Sequence, residues 1–396
     1  MPPRPACHAC EGEELELQPL AELPVPRDYV PAGDKVAHHP LILARCPRCQ
    51  LIQVLLTAPR EDVARTLDRV TVRTRPRVQA AEREAADLMA AATGGPQTVL
   101  VAAATDGYRL RPYVESGWSG LGLEPARARG AVGSIAGLRL LPRRFDNDVV
   151  DELLEAPIRI SVLLLNDLLA RAKDPKDVLQ AASRLIQDDG VAIARLPDPL
   201  ACLMADALWA FDHEFLSYFT IRNVRVLAER FGLDVVHVES VAGSVGPELR
   251  VTLSHAGAPD RSVLDRLVYE DSHATDAWTT PVTTRLARWR SRTRAWLLEE
   301  ARAGPIIVLG ASRGTSGFLS LVGADPDLVE VVGDLNPFKR DLVVPGTEIL
   351  IRPLRRLALQ DGTGPILIIG PRLARDSTEM QAQFRRAGRP VLLAAP

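Results

Sequence analysis

Apolar positions beyond residue 75 follow two rhythms. Over residues 75–92 they recur at helical spacing, and from 98 onward short, nearly continuous apolar runs alternate with amphipathic stretches. The runs at 98–104, 119–124, 160–166 and 190–197 predict strands too apolar to leave one face wet, which suits a parallel sheet covered by helices on both sides. Two further runs, 233–240 and 249–255, follow each other closely with Gly243 and Gly246 between them, the pattern of an antiparallel pair at a sheet edge. From about residue 286 a basic, tryptophan-containing helix leads into a buried strand at 305–310. Strands at 348–351, 365–369 and 390–393 then complete a second α/β sheet.

Composition narrows the picture. A chain of 396 residues is too long for one core and predicts two or three, placed at 1–75, 76–285 and 286–396. With 46% hydrophobic and 25% charged residues and a formal net charge of -2, it has a soluble globular profile and not that of a phosphate-tracking nucleic-acid binder. No apolar run approaches the roughly 20 residues that span a bilayer. The opening Met-Pro-Pro-Arg-Pro lacks the apolar core of a signal peptide, so a cytoplasmic location without membrane contact is expected. No exposed heptad or self-complementary strand stands out, and the oligomeric state is left open.

Four of the five cysteines form two pairs, Cys7-His8-Ala9-Cys10 and Cys46-Pro47-Arg48-Cys49. Each pair places two thiolates close enough to share an ion, so Cys7, Cys10, Cys46 and Cys49 are expected to hold a structural zinc in an N-terminal ribbon. His8 is the alternative ligand should one thiolate be spared. Cys202 has apolar neighbours on both sides and reads as a buried helix residue.

Parallel strands closed by an antiparallel pair form the class I methyltransferase pattern. Ligands on such sheets collect beyond the carboxyl ends of the first strands. Asp106-Gly107 follows the first strand, Glu124-Pro125 closes the second and Asn166 closes the next. Glu124 stands where an acid would accept both hydroxyls of a ribose. The glycine-rich G-x-G-x-x-G turn is absent, which disfavours a dinucleotide and favours a nucleoside such as S-adenosylmethionine. In the C-terminal part, Gly310-Ala311-Ser312-Arg313 leaves a strand on small residues whose amides can cradle an anion, with Arg313 adding a fixed charge. Arg250, on the expected edge strand, is a candidate phosphate clamp.

The layout resembles the sugar C-methyltransferases of deoxysugar pathways. The resemblance rests on the two cysteine pairs, on Gly122-Leu123-Glu124-Pro125-Ala126, on His213-Glu214-Phe215-Leu216-Ser217-Tyr218-Phe219, and on Asp334-Leu335-Asn336-Pro337-Phe338-Lys339 followed by Pro345-Gly346-Thr347. It implies an α/β protein with a zinc-ribbon-like N-terminal module, a central Rossmann-like methyltransferase domain and a C-terminal Rossmann-like α/β domain. It also implies S-adenosylmethionine as cofactor and a small-molecule acceptor, a nucleotide-linked sugar or related metabolite, methylated on carbon after a base removes a proton. By the same resemblance Gly310, Ala311, Ser312, Arg313, Asn336 and Lys339 join Arg250 on the substrate side.

Departures from the family pattern fall on the catalytic segment. The usual Tyr-His-Glu-His-Phe-Ser-Tyr-Phe has its second histidine, the expected base, replaced by Phe215 and its tyrosine by Asp212. His213, Glu214 and Tyr218 are then the remaining catalytic candidates. The first-strand motif is reduced to Val101-Ala102-Ala103-Ala104-Thr105-Asp106-Gly107. The chain therefore reads as a sugar-type C-methyltransferase. The alternative is a methyltransferase fold that transfers no methyl group, either a repurposed isomerase, cyclase or elimination enzyme or a binding protein.

Overall fold

The computed structural model describes residues 5–55, 58–59, 62–63, 75–92, 97–104, 107–124, 138–156, 158–357 and 364–394. In the N-terminal part β1 (Glu16–Pro24), β2 (Val30–Pro31), β3 (His38–Arg45) and β4 (Ile52–Leu55) follow one another. β1 pairs antiparallel with β3 through a bulge between Pro19 and Ala21, and β3 with β4.

The central sheet is built from β5 (Thr98–Ala102), β6 (Ser119–Leu123), β7 (Leu138–Leu141), β8 (Ile160–Asn166) and β9 (Ile186–Pro197). After β10 (Ser217–Tyr218) it is completed by β11 (Asp234–Ala242) and β12 (Pro247–Ser254). Its order is β11-β12-β9-β8-β5-β6-β7, with the five strands from β9 to β7 parallel and β12 antiparallel to both neighbours. This is a Rossmann-like sheet of the methyltransferase type. The apolar runs explain it. On β5 and β8, Leu100, Ala102, Leu163 and Leu165 pack on one face, while Val99, Val101, Val162 and Leu164 pack on the other with Ala85, Leu110 and Tyr113. β7 escaped the sequence reading because Leu-Arg-Leu-Leu has neither a clean alternation nor a long apolar run.

The short β10 does not join this sheet. It pairs with β4, so the N-terminal sheet has the order β1-β3-β4-β10 and its last strand comes from the middle of the chain.

The C-terminal sheet contains β13 (Ile306–Leu309), β14 (Val329–Asp334), β16 (Ile351–Pro353), β17 (Ile366–Ile369) and β18 (Val391–Ala394), all parallel, in the order β16-β14-β13-β17-β18. Between them β15 (Leu342–Val343) pairs with β2 and ties this part to the N-terminal module. The strand order, not the strand direction, reverses between β13 and β17, the point where a Rossmann-like sheet opens a crevice. Three aromatic rings cement the junction. Trp209 lies 5.4 Å from Trp289 and 5.2 Å from Phe318, so the loop after β9, the helix Val282–Glu300 and the helix Arg313–Val322 share one apolar contact.

Candidate active site where three sheets meet

The four paired cysteines converge. Their Sγ atoms all lie within 4.8 Å of one another, with Cys7 and Cys49 at 3.4 Å and Cys10 and Cys46 at 3.5 Å. A tetrahedral ion with metal–sulfur bonds of about 2.3 Å needs sulfurs roughly 3.8 Å apart, so the set can hold a metal ion. Each knuckle closes alike: the amide of Glu11 donates to Cys7 and that of Gln50 to Cys46, with Glu11 and Gln50 in the left-handed region. His8 turns away from the thiols. Its Nδ1 lies 2.9 Å from Ser217 Oγ, and its amide donates to Gln53 Oε1. The knuckles are also held from the central part, because Asn223 donates to the Cys49 carbonyl and Arg230 to that of Ala9. Through β4 and β10 this module positions residues 212–218, the segment singled out in the sequence.

Within that segment each expected catalytic group is engaged by protein. His213 is fully buried, with Nε2 3.2 Å from the Leu23 carbonyl and its ring edge-on to His39, and burial pushes its pKa down to about 4. Glu214 has no exposed side-chain surface. Arg27 grips it with Nε–Oε1 at 2.6 Å and Nη2–Oε2 at 2.5 Å, and Arg171 Nη1 adds a bond of 2.9 Å. Burial alone would raise the Glu214 carboxyl, but the charges of Arg27 and Arg171 outweigh it and hold it well below the usual carboxylate range. The Tyr218 hydroxyl donates to the Ala210 carbonyl and accepts from the Asp212 amide, each at 3.1 Å. Phe215, where the family resemblance expects the base, is 3% exposed and carries the guanidinium carbons of Arg171 and Arg313 at 4.5 and 3.9 Å from its ring centroid.

Asp167 and Arg171, which the sequence reading passed over, complete this cluster. Arg171 Nε donates to Asp167 Oδ2 at 2.7 Å. Burial pushes the Asp167 carboxyl up, but Arg171 and, more weakly, Arg313 and Arg27 bring it below its ordinary value. Its side chain nevertheless keeps 41% of its surface open. Asp167 directly follows Asn166 at the carboxyl end of β8, with its carboxylate half-open to solvent. The rule that ligands gather at such strand ends pointed here. Nothing local pointed to Arg27, which arrives from 187 residues away.

The residues expected to bind the cofactor lie at the ends of β5, β6 and β8. Asp106 and Pro125 lie outside the described residues. Ala103 and Asn166 both adopt left-handed backbone, φ 57° and 53°. Asn166 Nδ2 donates to the Ala102 carbonyl at 3.1 Å, while its Oδ1 is buried with no partner among the described residues. Glu124, half-buried, follows β6. Gly107 is tightly held: its φ is 73°, and an added Cβ would come within 3.0 Å of Leu138. An acceptor oxygen awaiting a donor and a carboxylate on the strands flanking β5 suit the ammonium and ribose hydroxyls of a methionine nucleoside.

The C-terminal turn is largely satisfied internally. The Ala311 carbonyl accepts from Tyr29 and Lys339, both at 2.6 Å, and the Ala311 amide donates to Asp334, which also receives Lys339 Nζ at 3.2 Å. Ser312 caps the helix through the Thr315 amide, and Thr315 donates to the Gly310 carbonyl. Asn336 Oδ1 accepts from the Phe338 amide. The crevice between β13 and β17 is occupied by the β11–β12 turn. A Cβ at Gly314 would lie 3.3 Å from Val245, one at Gly370 would lie 2.9 Å from the Ser244 carbonyl, and the Arg372 amide donates to Gly243. Arg250 is paired with Glu239 and lies 3.9 Å from Glu84. Of the substrate-side candidates, Arg313 alone among the described residues reaches the Asp167–Arg171–Glu214 cluster, through Phe215 and Asp212.

Comparisons with known proteins follow this anatomy. Residues 76–238 match the family model of a methyltransferase domain, and residues 244–396 that of the C-methyltransferase C-terminal domain. The C-methyltransferase NovU of Streptomyces niveus is 24% identical over 253 residues, which is 62% of this chain and 60% of that relative's length. Among solved structures, the magnesium protoporphyrin IX methyltransferase of Synechocystis PCC 6803 with bound SAH aligns at 10% identity over 50% of this chain and 94% of its own, with a TM-score of 0.36. A glycopeptide N-methyltransferase, MtfA, aligns at 13% identity over 44% of this chain and 94% of its own, with a TM-score of 0.33. No helix among the described residues is long and apolar enough to cross a membrane.

Proposed function

We propose, for a chain that belongs to the C-methyltransferase family, that it transfers a methyl group from S-adenosylmethionine to carbon of a small biosynthetic metabolite. A nucleotide-linked sugar is the acceptor class that the family resemblance suggests. The observation that carries this reading is the cluster of charged side chains at the end of β8. There Arg27 from the N-terminal module, Asp167 and Arg171 from the central sheet, and Arg313 from the C-terminal sheet converge beside Asn166.

When bound, S-adenosylmethionine supplies an electrophilic methyl carbon. Glu124 then accepts the ribose hydroxyls and Asn166 Oδ1 the ammonium group. The open carboxylate of Asp167 orients a donor on the acceptor, and the surrounding guanidinium groups favour negative charge developing there. Glu214 and Tyr218 serve as positioning residues, since their polar atoms are already committed, whereas His213 holds the Leu23 carbonyl through Nε2 and keeps a buried Nδ1 that has no partner among the described residues. Zinc on the four cysteines plays a structural part and fixes the segment that carries Phe215.

Phe215 favours one further reading, a methyltransferase fold that binds the cofactor without methyl transfer. Calorimetric titration of zinc-loaded protein with S-adenosylmethionine and with S-adenosylhomocysteine tests the first step. Micromolar binding, about -8 kcal/mol, is expected. Binding of neither ligand would reject both readings. Binding without release of S-adenosylhomocysteine across an acceptor screen would select the second.

A further inference from the structure

Arg313 differs from the other buried cations of the junction. Arg27 and Arg171 are committed to Glu214 and Asp167 through charge-assisted hydrogen bonds. Arg313 is only 9% exposed, and among the described residues its guanidinium makes no hydrogen bond. Among the described residues its one ionic contact is Nη1 to Asp212 Oδ2 at 3.3 Å, and neither atom finds hydrogen-bond geometry there. Asp212 offsets the charge, but a guanidinium removed from water without hydrogen-bonded acceptors is costly, which leaves its N–H groups open to oxygens of a ligand.

The surroundings define which oxygens fit. With the guanidinium carbon 3.9 Å from the Phe215 ring centroid, the ring covers part of the cation, and its N–H groups point outward in its own plane. Such a fork matches two coplanar oxygens. A tetrahedral phosphate would call on the amides of the preceding turn and on a mobile ammonium. The Ala311 amide is taken by Asp334 and the Thr315 amide by Ser312, Val245 covers Gly314, and Lys339 is bound to Ala311 and Asp334.

We propose that Arg313 anchors the acceptor through a planar two-oxygen anion, either a carboxylate or the ionised enol of a 1,3-dicarbonyl. This rests on the methyltransferase reading and deepens it, because an acceptor entering as a stabilised enolate needs no proton removed by the residue at position 215. In that case the nucleophilic carbon forms its bond to the methyl group as the carbon–sulfur bond breaks, and the electron pair stays on sulfur. The enolate charge and the sulfonium charge cancel, and no co-reactant is needed.

The test is a ligand-observed NMR titration of the zinc-loaded full chain with three probes: benzoate, the enolate of 2,4-pentanedione, whose two oxygens can converge on one side, and inorganic phosphate. At least one planar anion is expected to bind in the millimolar range and more tightly than phosphate, a comparison that needs no variant. Arg313→Lys keeps the charge but loses the fork and should weaken that binding about tenfold, with Arg313→Gln weakening it further. Tighter phosphate binding, no planar-anion binding at concentrations on the order of 10 mM, or unchanged affinity in Arg313→Lys would overturn the proposal. S-adenosylhomocysteine titrated into the same wild-type sample reports on the methyltransferase reading separately. Cofactor binding without planar-anion binding sinks only the present inference.

Discussion

The carboxylate of Glu214 and the guanidinium of Arg27 stand 187 residues apart in sequence and meet in a two-bond fork of 2.6 and 2.5 Å. That fork couples the N-terminal module to the segment bearing Phe215. It also removes Glu214 from the set of groups able to take a proton, because a carboxylate held this far below its usual range is a weak base.

Breaking the fork is therefore expected to cost stability more than it alters chemistry. Arg27→Ala leaves Glu214 buried with Arg171 as its remaining partner and should destabilise the chain by about 3 kcal/mol. Glu214→Gln keeps the volume and some hydrogen bonds and should cost less. Urea unfolding monitored by tryptophan fluorescence checks the ranking, and equal midpoints for wild type and Arg27→Ala would contradict it.

His213 sets a pH dependence of stability. Burial holds its pKa at about 4, whereas an unfolded histidine titrates near 6.5. Between these values the unfolded chain binds more protons than the folded one, so stability must fall as pH drops from about 6.5 to 4. The full loss is about 3 kcal/mol, from some 2.5 pH units at 1.36 kcal/mol each. His213→Gln retains a donor for the Leu23 carbonyl and should flatten this slope. Urea midpoints at pH 7.5 and pH 5 for both proteins provide the measurement.

Metal loss should be felt at a distance. Cys46→Ser removes one thiolate from the four-sulfur set and is expected to abolish stoichiometric zinc, read by elemental analysis. Because β4 carries β10, and Asn223 and Arg230 are bonded to knuckle carbonyls, the same variant should expose residues 211–219 to proteolysis. Intact protection there in a zinc-free protein would show that the segment is held by other contacts.

Some of this anatomy was legible from the chain alone. The cysteine spacing places two thiols on each tight turn whatever the rest of the fold does, and short, largely apolar runs such as Ile160–Asn166 suit strands buried on both faces. The close pair β11 and β12 marked the edge of the central sheet, and Asn166 was expected at a strand end where ligands gather. These are local signals, set by period and spacing. The roles of the charged residues are of another kind. Arg27 and Arg171 read in sequence like any solvated arginine, because a single charge carries no period and its burial depends on what folds over it. Likewise Gly310 to Arg313 has the composition of an anion cradle, but the turn between β11 and β12 packs against it and leaves only the Arg313 guanidinium in touch with the charged cluster, through Asp212. Which polar groups are spent on the fold and which remain for a ligand was decided by contacts between distant segments, and only the tertiary structure brings those together.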